Sequence, residues 1–160
     1  MIRKADLSDV QAIHKIINRY ATQDLMLSRS LSELYENVRD FFVYEKKGNV
    51  HGCCALHICW EDLAEVKCLA VIEDYKGKGI GRELVSAALN EAAHLGVKKL
   101  FALTYIPEFF ERFGFKKIDK KKLPHKIWNE CIKCAKFPSC DETALMLDIK
   151  GDGSIFSRKK

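Results

Sequence analysis

The sequence predicts a mixed α/β (α+β) fold, with a central, largely antiparallel sheet flanked by helices on both faces. Three observations carry this expectation. Strand-like runs at 40–46, 50–59 and 63–71 follow one another with only short turn signals between them, Lys47-Gly48-Asn49 and Trp60-Glu61-Asp62. Runs joined so closely pair as an antiparallel meander. The third run leads through a charged turn into glycines at alternate positions, Gly77, Gly79 and Gly81, and then into the clearest helical pattern of the chain. Another strand follows that helix at 99–104, and a crossover of this length normally returns the chain parallel to the strand it left.

Taken in order, Ile2-Arg3-Lys4-Ala5 reads as a short first strand. Asp6 is placed as an N-cap, and Val10, Ile13, Ile16, Ile17 and Tyr20 recur at helical spacing. Ser30-x-x-Glu33 has the form of a capping box. It predicts a second helix from Ser30, with Leu31, Leu34, Tyr35 and Val38 on the buried face. After the three strands, Ile80, Leu84, Ala88, Ala92 and Leu95 form one helical stripe, broadened by Val85 and Leu89. Gly96 ends it. A short helix opens at Pro107 and stops at Gly114, and strands are expected at 115–118 and 143–149. How many strands separate those at 63–71 and 99–104 is not legible.

The 160 residues suit a single domain over 1–150 with a terminal tail at 151–160. Hydrophobic content of 48% and charged content of 31% suit a soluble globular chain. No apolar run approaches the ~20 residues of a membrane helix, and the N-terminus has no signal core. The expected location is therefore the cytoplasm, with no membrane partner. A net charge of +5 suits an anionic ligand, while the absence of a basic stripe interleaved with aromatics speaks against nucleic acid. Cys53, Cys54, Cys59 and Cys68 lie in strand-like runs and read as small buried apolar residues. His14, His51, His57 and His94 lie on regular elements with no evident partner.

A strand, a glycine loop and a helix N-terminus together make an anion site. No Lys-Ser or Lys-Thr follows the glycines, which excludes a Walker loop. Arg82 stands where the dinucleotide fingerprint needs its third glycine. On their own the glycines also suit an ordinary strand-to-helix turn. What favours the anion site is Leu69-Ala70-Val71 ahead of them and the long helix behind.

The pattern from Lys76 to Gly81, a basic residue followed by x-x-G-x-G, resembles the acetyl-CoA loop of the GNAT superfamily of N-acetyltransferases. The order of elements is similar to the GNAT order over nearly the whole chain. Phe109-Phe110-Glu111-Arg112-Phe113-Gly114-Phe115 resembles a further family segment, with Phe110 where a general-acid tyrosine often stands. Leu27-Ser28-Arg29-Ser30, Ala64-Glu65, Leu103-Thr104 and Leu123-Pro124-x-Lys126-Ile127-Trp128 resemble the short, single-domain N-acetylglutamate synthase type.

The resemblance implies acetyl-CoA as cosubstrate and a small-molecule amino acid, L-glutamate, as acceptor, feeding arginine synthesis. It implies cofactor contacts from Leu69, Ala70, Val71, Lys76, Gly77, Lys78, Gly79, Ile80, Gly81 and Arg82. Arg29, Ser30 and Lys67 carry over as substrate contacts, with Arg29 and Lys67 as carboxylate clamps. An α-ammonium must lose its proton before it attacks a thioester, and Glu65 is the candidate base. Tyr105 is the candidate acid for the departing thiolate. Each has an ordinary alternative: a solvated loop charge for Arg29, an edge-facing Glu65, a packed Tyr105. Cys131, Cys134 and Cys140 suit a substrate-site flap with reduced thiols, no metal being expected; three-thiolate zinc binding with His125 or Asp141 is the alternative. A peptide amine as acceptor, or a non-catalytic acyl-CoA sensor, are the competing functions. A homodimer is left open.

Overall fold

The structure, a computed structural model, describes residues 1–123 and 142–149. The strands are β1 (Ile2–Lys4), β2 (Phe41–Lys46), β3 (Asn49–Trp60), β4 (Leu63–Val71), β5 (Lys99–Thr104), β6 (Lys116–Ile118) and β7 (Thr143–Asp148). The helices are α1 (Val10–Ala21), α2 (Leu31–Glu36), α3 (Ile80–Leu95) and α4 (Pro107–Glu111). Seven strands form one sheet in the order β1-β2-β3-β4-β5-β7-β6, mostly antiparallel. The parallel pair is β4 with β5, so no strand separates the two ends of the crossover. The chain divides into two compact units, Met1–His57 with Val66–Glu91, and Ile58–Glu65 with the chain from Ala92 onward. No helix among the described residues is long and apolar enough to cross a membrane.

In the first unit β2 pairs antiparallel with β1 and β3. Lys46 faces Asn49, and the two residues between them, Lys47 and Gly48, have φ of 54° and 81°. Positive φ at both central positions is the geometry that suits the right-handed twist of a hairpin. Strand alternation sends Phe41, Val43, Cys53 and Ala55 to one face. There they pack with Val10, Ile13, Ile16, Ile17 and Tyr20 of α1 and with Leu34 and Val38. Gly52 points to the other face. A Cβ there would come within 3.2 Å of Leu84 Cδ1 and of the Ala70 carbonyl oxygen. Helix α3 therefore packs closely on that face, which accounts for a glycine inside a strand.

Charge fixes the start of the chain. Arg3 donates two hydrogen bonds to the buried Asp9, at 2.7 and 2.9 Å, and a third to Glu45 at 2.7 Å. Asp9 also accepts the Asp6 N–H at 2.8 Å, closing a capping box in which Asp6 caps the 3-10 turn Leu7–Asp9 ahead of α1.

The second unit holds β5, α4, β6, β7 and the start of β4. Strand β7 inserts between β5 and β6 and pairs antiparallel with both. Leu63, Phe101, Leu123 and Ala144 form its buried cluster. Phe110 packs edge-on against Phe115 and Phe109, at centroid distances of 5.4 and 5.2 Å.

Two expectations about burial and one about partners need correcting. Tyr35 is 41% exposed, because α2 ends at Glu36 and its inward positions fall to Leu34 and, through a 3-10 turn, Val38. Leu95 has the angle of the α3 stripe but is 57% exposed, since it is the last helical residue before the chain turns at Gly96. Two histidines also have partners: His57 Nδ1 lies 2.7 Å from Asp40 Oδ2, and the His51 ring stacks on Tyr75 at 4.0 Å.

Candidate active site

Strand β4 leads directly into the glycine turn. Its burial changes along its length, with the first four residues all buried and then Cys68 and Ala70 buried between half-buried Lys67, Leu69 and Val71. Inside the strand Cys68 has φ of 57°. A non-glycine residue in the left-handed region is uncommon. Burial nonetheless alternates without a break from Val66 to Val71, with Lys67, Leu69 and Val71 all half-buried.

Beyond Val71 a 3-10 turn, Glu73–Tyr75, precedes the glycines. Gly77 and Gly79 have φ of 78° and 81°, and a Cβ added at either would meet nothing within 4 Å. Glycine is required there by backbone conformation and by access from outside, not by packing within the protein. Helix α3 follows, and the N–H groups of its first turn have no carbonyl partner earlier in the helix. The turn thus presents main-chain donors and the positive end of a 16-residue helix dipole to solvent, flanked by exposed Lys78 and Arg82.

Aromatic residues support the turn. Lys78 Nζ lies 5.2 Å from the Tyr75 ring centroid, and Tyr75 stacks on His51. Lys76 Nζ lies 4.7 Å from the Tyr20 ring and 3.4 Å from Glu73. The Tyr20 hydroxyl, with Glu73, holds the Lys76 ammonium and raises its pKa above the usual lysine value. The same hydroxyl donates to the Val71 carbonyl at 2.5 Å. Cys53 Sγ donates to the Cys68 carbonyl at 3.3 Å.

Glu65 is 8% exposed, one of the buried charged residues of the described chain. It pairs in register with Phe101 of β5, on the face carrying Leu63. That register covers Leu63–Glu65 only, while β4 runs on to Val71. Lys67 is two residues further along β4 and half-buried. Arg29 lies just before α2, its side chain 9% exposed, and donates to Glu33 at 2.9 Å. Its main chain exchanges hydrogen bonds with the Asn18 side chain. Ser30 caps α2 by accepting the Glu33 N–H at 3.1 Å. Tyr105 follows β5 at a bend, where the Ile106 N–H bonds to the buried Thr104 hydroxyl. Residues 69–82 run on from the end of β4 through the glycine turn into α3, and Glu65 and Lys67 lie on one strand. The structure puts Arg29 and Ser30 at the cap of α2 and Tyr105 at the end of β5. Cys131, Cys134, Cys140 and residues 124–128 lie outside the described residues.

Tyr20 and Cys53 were not expected to matter beyond the core. Tyr20 reads as part of an apolar stripe and Cys53 as a small apolar residue, and only their polar tips hint at more. Nothing in the sequence marks the left-handed backbone at Cys68, since cysteine is not a residue type that favours positive φ.

Glycines open to solvent thus lie between a strand of a mixed sheet and a helix N-terminus. The acetyltransferase (GNAT) domain model matches residues 37–117. The chain belongs to the GNAT acetyltransferases and is an enzyme of that family. It is 44% identical over 145 residues to an uncharacterized N-acetyltransferase of Chlorobaculum tepidum, covering 91% of this chain and 94% of that one. It is 38% identical over 133 residues to an amino-acid acetyltransferase of Mycobacterium tuberculosis, covering 81% and 76%. Among solved structures, a Mycobacterium tuberculosis protein in complex with CoA superposes with a TM-score of 0.82 at 31% identity, over 94% of this chain and 99% of that one. N-acetylglutamate synthase of Neisseria gonorrhoeae, complexed with CoA and N-acetyl-glutamate, superposes with a TM-score of 0.85 at 27% identity. The match covers 94% of this chain but 35% of the synthase.

Proposed function

We propose that the protein transfers the acetyl group of acetyl-CoA to the α-amine of a small anionic amino acid, L-glutamate, the step that opens arginine synthesis. The observation that carries this reading is Glu65, a buried carboxylate on the strand that leads into the glycine turn, with Lys67 two residues on. The names of the relatives support the acceptor class.

The diphosphate rests on the N–H groups of the turn and the first residues of α3, with Lys78 and Arg82 beside it. The pantetheine arm runs along Leu69, Ala70 and Val71, backbone to backbone. Glu65 takes a proton from the α-ammonium, directly or through water. The neutral amine attacks the thioester carbon, and a main-chain N–H of β4 holds the developing oxyanion. Collapse breaks the C–S bond, and Tyr105 or solvent protonates the leaving thiolate. Arg29 and Lys67 hold the two substrate carboxylates, and Ser30 adds a hydroxyl.

Thiol release from acetyl-CoA tests this, run with glutamate, glutamine, aspartate, lysine and a short peptide as acceptors. Glutamate is expected to drive release well above the others. Release with the peptide alone would move the acceptor to the protein-acetylating class. Tight CoA binding with no release for any amine would make the protein an acyl-CoA sensor.

A further inference from the structure

Residues 68–71 of β4 are held by side chains at both ends. Cys53, in the neighbouring β3, donates its thiol proton to the Cys68 carbonyl at 3.3 Å. Tyr20, in the last turns of α1, donates its hydroxyl to the Val71 carbonyl. A main-chain carbonyl has two lone pairs and can accept a side-chain donor beside its ladder partner. Cys68 itself has φ of 57°. Left-handed backbone is unfavourable for a residue with a Cβ and persists only where its surroundings over-determine it. The Cys53 side chain is fully buried, and burial pushes its thiol pKa well up, so its proton stays in place as a donor. Tyr20 is 8% exposed, and its ring also carries Lys76 at 4.7 Å, which ties the end of β4 to the start of the glycine turn.

We propose that Cys53 and Tyr20 are positioning residues for the acyl donor. Their hydrogen bonds hold the Cys68 and Val71 carbonyls, and so fix the left-handed Cys68 and the backbone after it, along which the pantetheine arm pairs. This rests on the reading of residues 69–71 as the donor strand. Neither side chain touches the reacting atoms; each acts through a main-chain carbonyl.

The test uses calorimetric titration of CoA, thermal melting and steady-state kinetics on the full chain. Tyr20→Phe keeps the ring under Lys76 and deletes the hydroxyl, which holds both the Val71 carbonyl and the Lys76 ammonium, so Lys76→Met is the control for the second contact. Cys53→Ala deletes the donor, and Cys53→Ser restores one. A net intramolecular hydrogen bond corresponds to roughly a two- to tenfold change in an equilibrium. Tyr20→Phe and Cys53→Ala should each weaken CoA binding by about threefold to tenfold and raise KM for acetyl-CoA in step. KM for the acceptor should hold, and Cys53→Ser should recover most of the loss. Variants that melt lower but bind CoA as the parent does would reduce both residues to core packing and overturn the proposal. Equal loss in Cys53→Ala and Cys53→Ser would overturn it for Cys53. If the parent itself fails to bind CoA, the donor-strand reading is what fails, a result distinct from variants matching a CoA-binding parent.

Discussion

Gly48 and Gly79 offer a matched pair of perturbations. Both have φ of 81°, and at neither would an added Cβ meet any protein atom within 4 Å. Gly48 sits in the β2–β3 hairpin turn, and Gly79 immediately precedes α3. Replacing either by alanine places a Cβ on left-handed backbone, at a cost of about 1–2 kcal/mol. For a domain of this size 1 kcal/mol lowers Tm by about 2–4 °C, so each variant should melt about 2–8 °C below the parent. The strain is the same at the two sites; ligand access is not. On the proposed phosphate site a methyl group at Gly79 would stand in the way of the main-chain N–H groups, and a hydrogen bond to a charged group contributes roughly 1.5–3 kcal/mol. Loss of one such bond predicts CoA binding weaker by about ten- to a hundredfold in Gly79→Ala. Gly48→Ala should bind as the parent does. Thermal melting gives the strain and calorimetric titration gives the affinity on the same preparations. If Gly79→Ala binds CoA as tightly as Gly48→Ala, the glycine turn is only a turn and the phosphate assignment is wrong.

Other perturbations test the remaining parts of the site and fold. Glu65→Gln should keep CoA affinity and lower kcat by roughly 10²–10⁴-fold, with a residual rate that climbs with pH as the amine loses its proton in bulk; an unchanged rate and pH profile would remove Glu65 from the chemistry. Arg29→Ala should raise KM for glutamate and leave KM for acetyl-CoA unchanged, with circular dichroism confirming that α2 survives loss of the Glu33 pair. Asp9 is held below its usual pKa, first by hydrogen bonds from Arg3. A depressed folded-state pKa adds stability above the unfolded value of about 3.9, and that stability is lost as pH falls through the folded value. Asp9→Asn should therefore lower stability near neutral pH and flatten its acid limb in urea titrations between pH 6 and 2.5. A parallel pH dependence in parent and variant would show that the Arg3 cluster carries no such linkage.

Local pattern explains which features were legible. The bounds of β4 and the two-residue turn ahead of it follow from alternation and turn chemistry, and so does the long amphipathic α3. The insertion of β7 between β5 and β6 pairs residues 26 to 49 positions apart, from Ile118 with Ala144 to Lys99 with Asp148, and no local signal encodes it. The glycines pointed to the loop because positive φ restricts residue type. The same conformation at Cys68 left no trace, since burial and a neighbouring thiol hold it there. Arg29 and Glu65 took their roles from short motif matches. Their burial agrees with inward-facing charge, while their reach to a substrate depends on side-chain geometry that spacing does not encode.

Selectivity between glutamate and glutamine tests the central claim most directly, because the two acceptors differ by one side-chain charge. Two carboxylate clamps, Arg29 and Lys67, predict a kcat/KM for glutamate about ten- to a hundredfold above that for glutamine, with N-acetylglutamate as the product by mass spectrometry. A ratio near one, or a neutral amine that serves equally well, would contradict the clamps and leave a GNAT enzyme with a different acceptor.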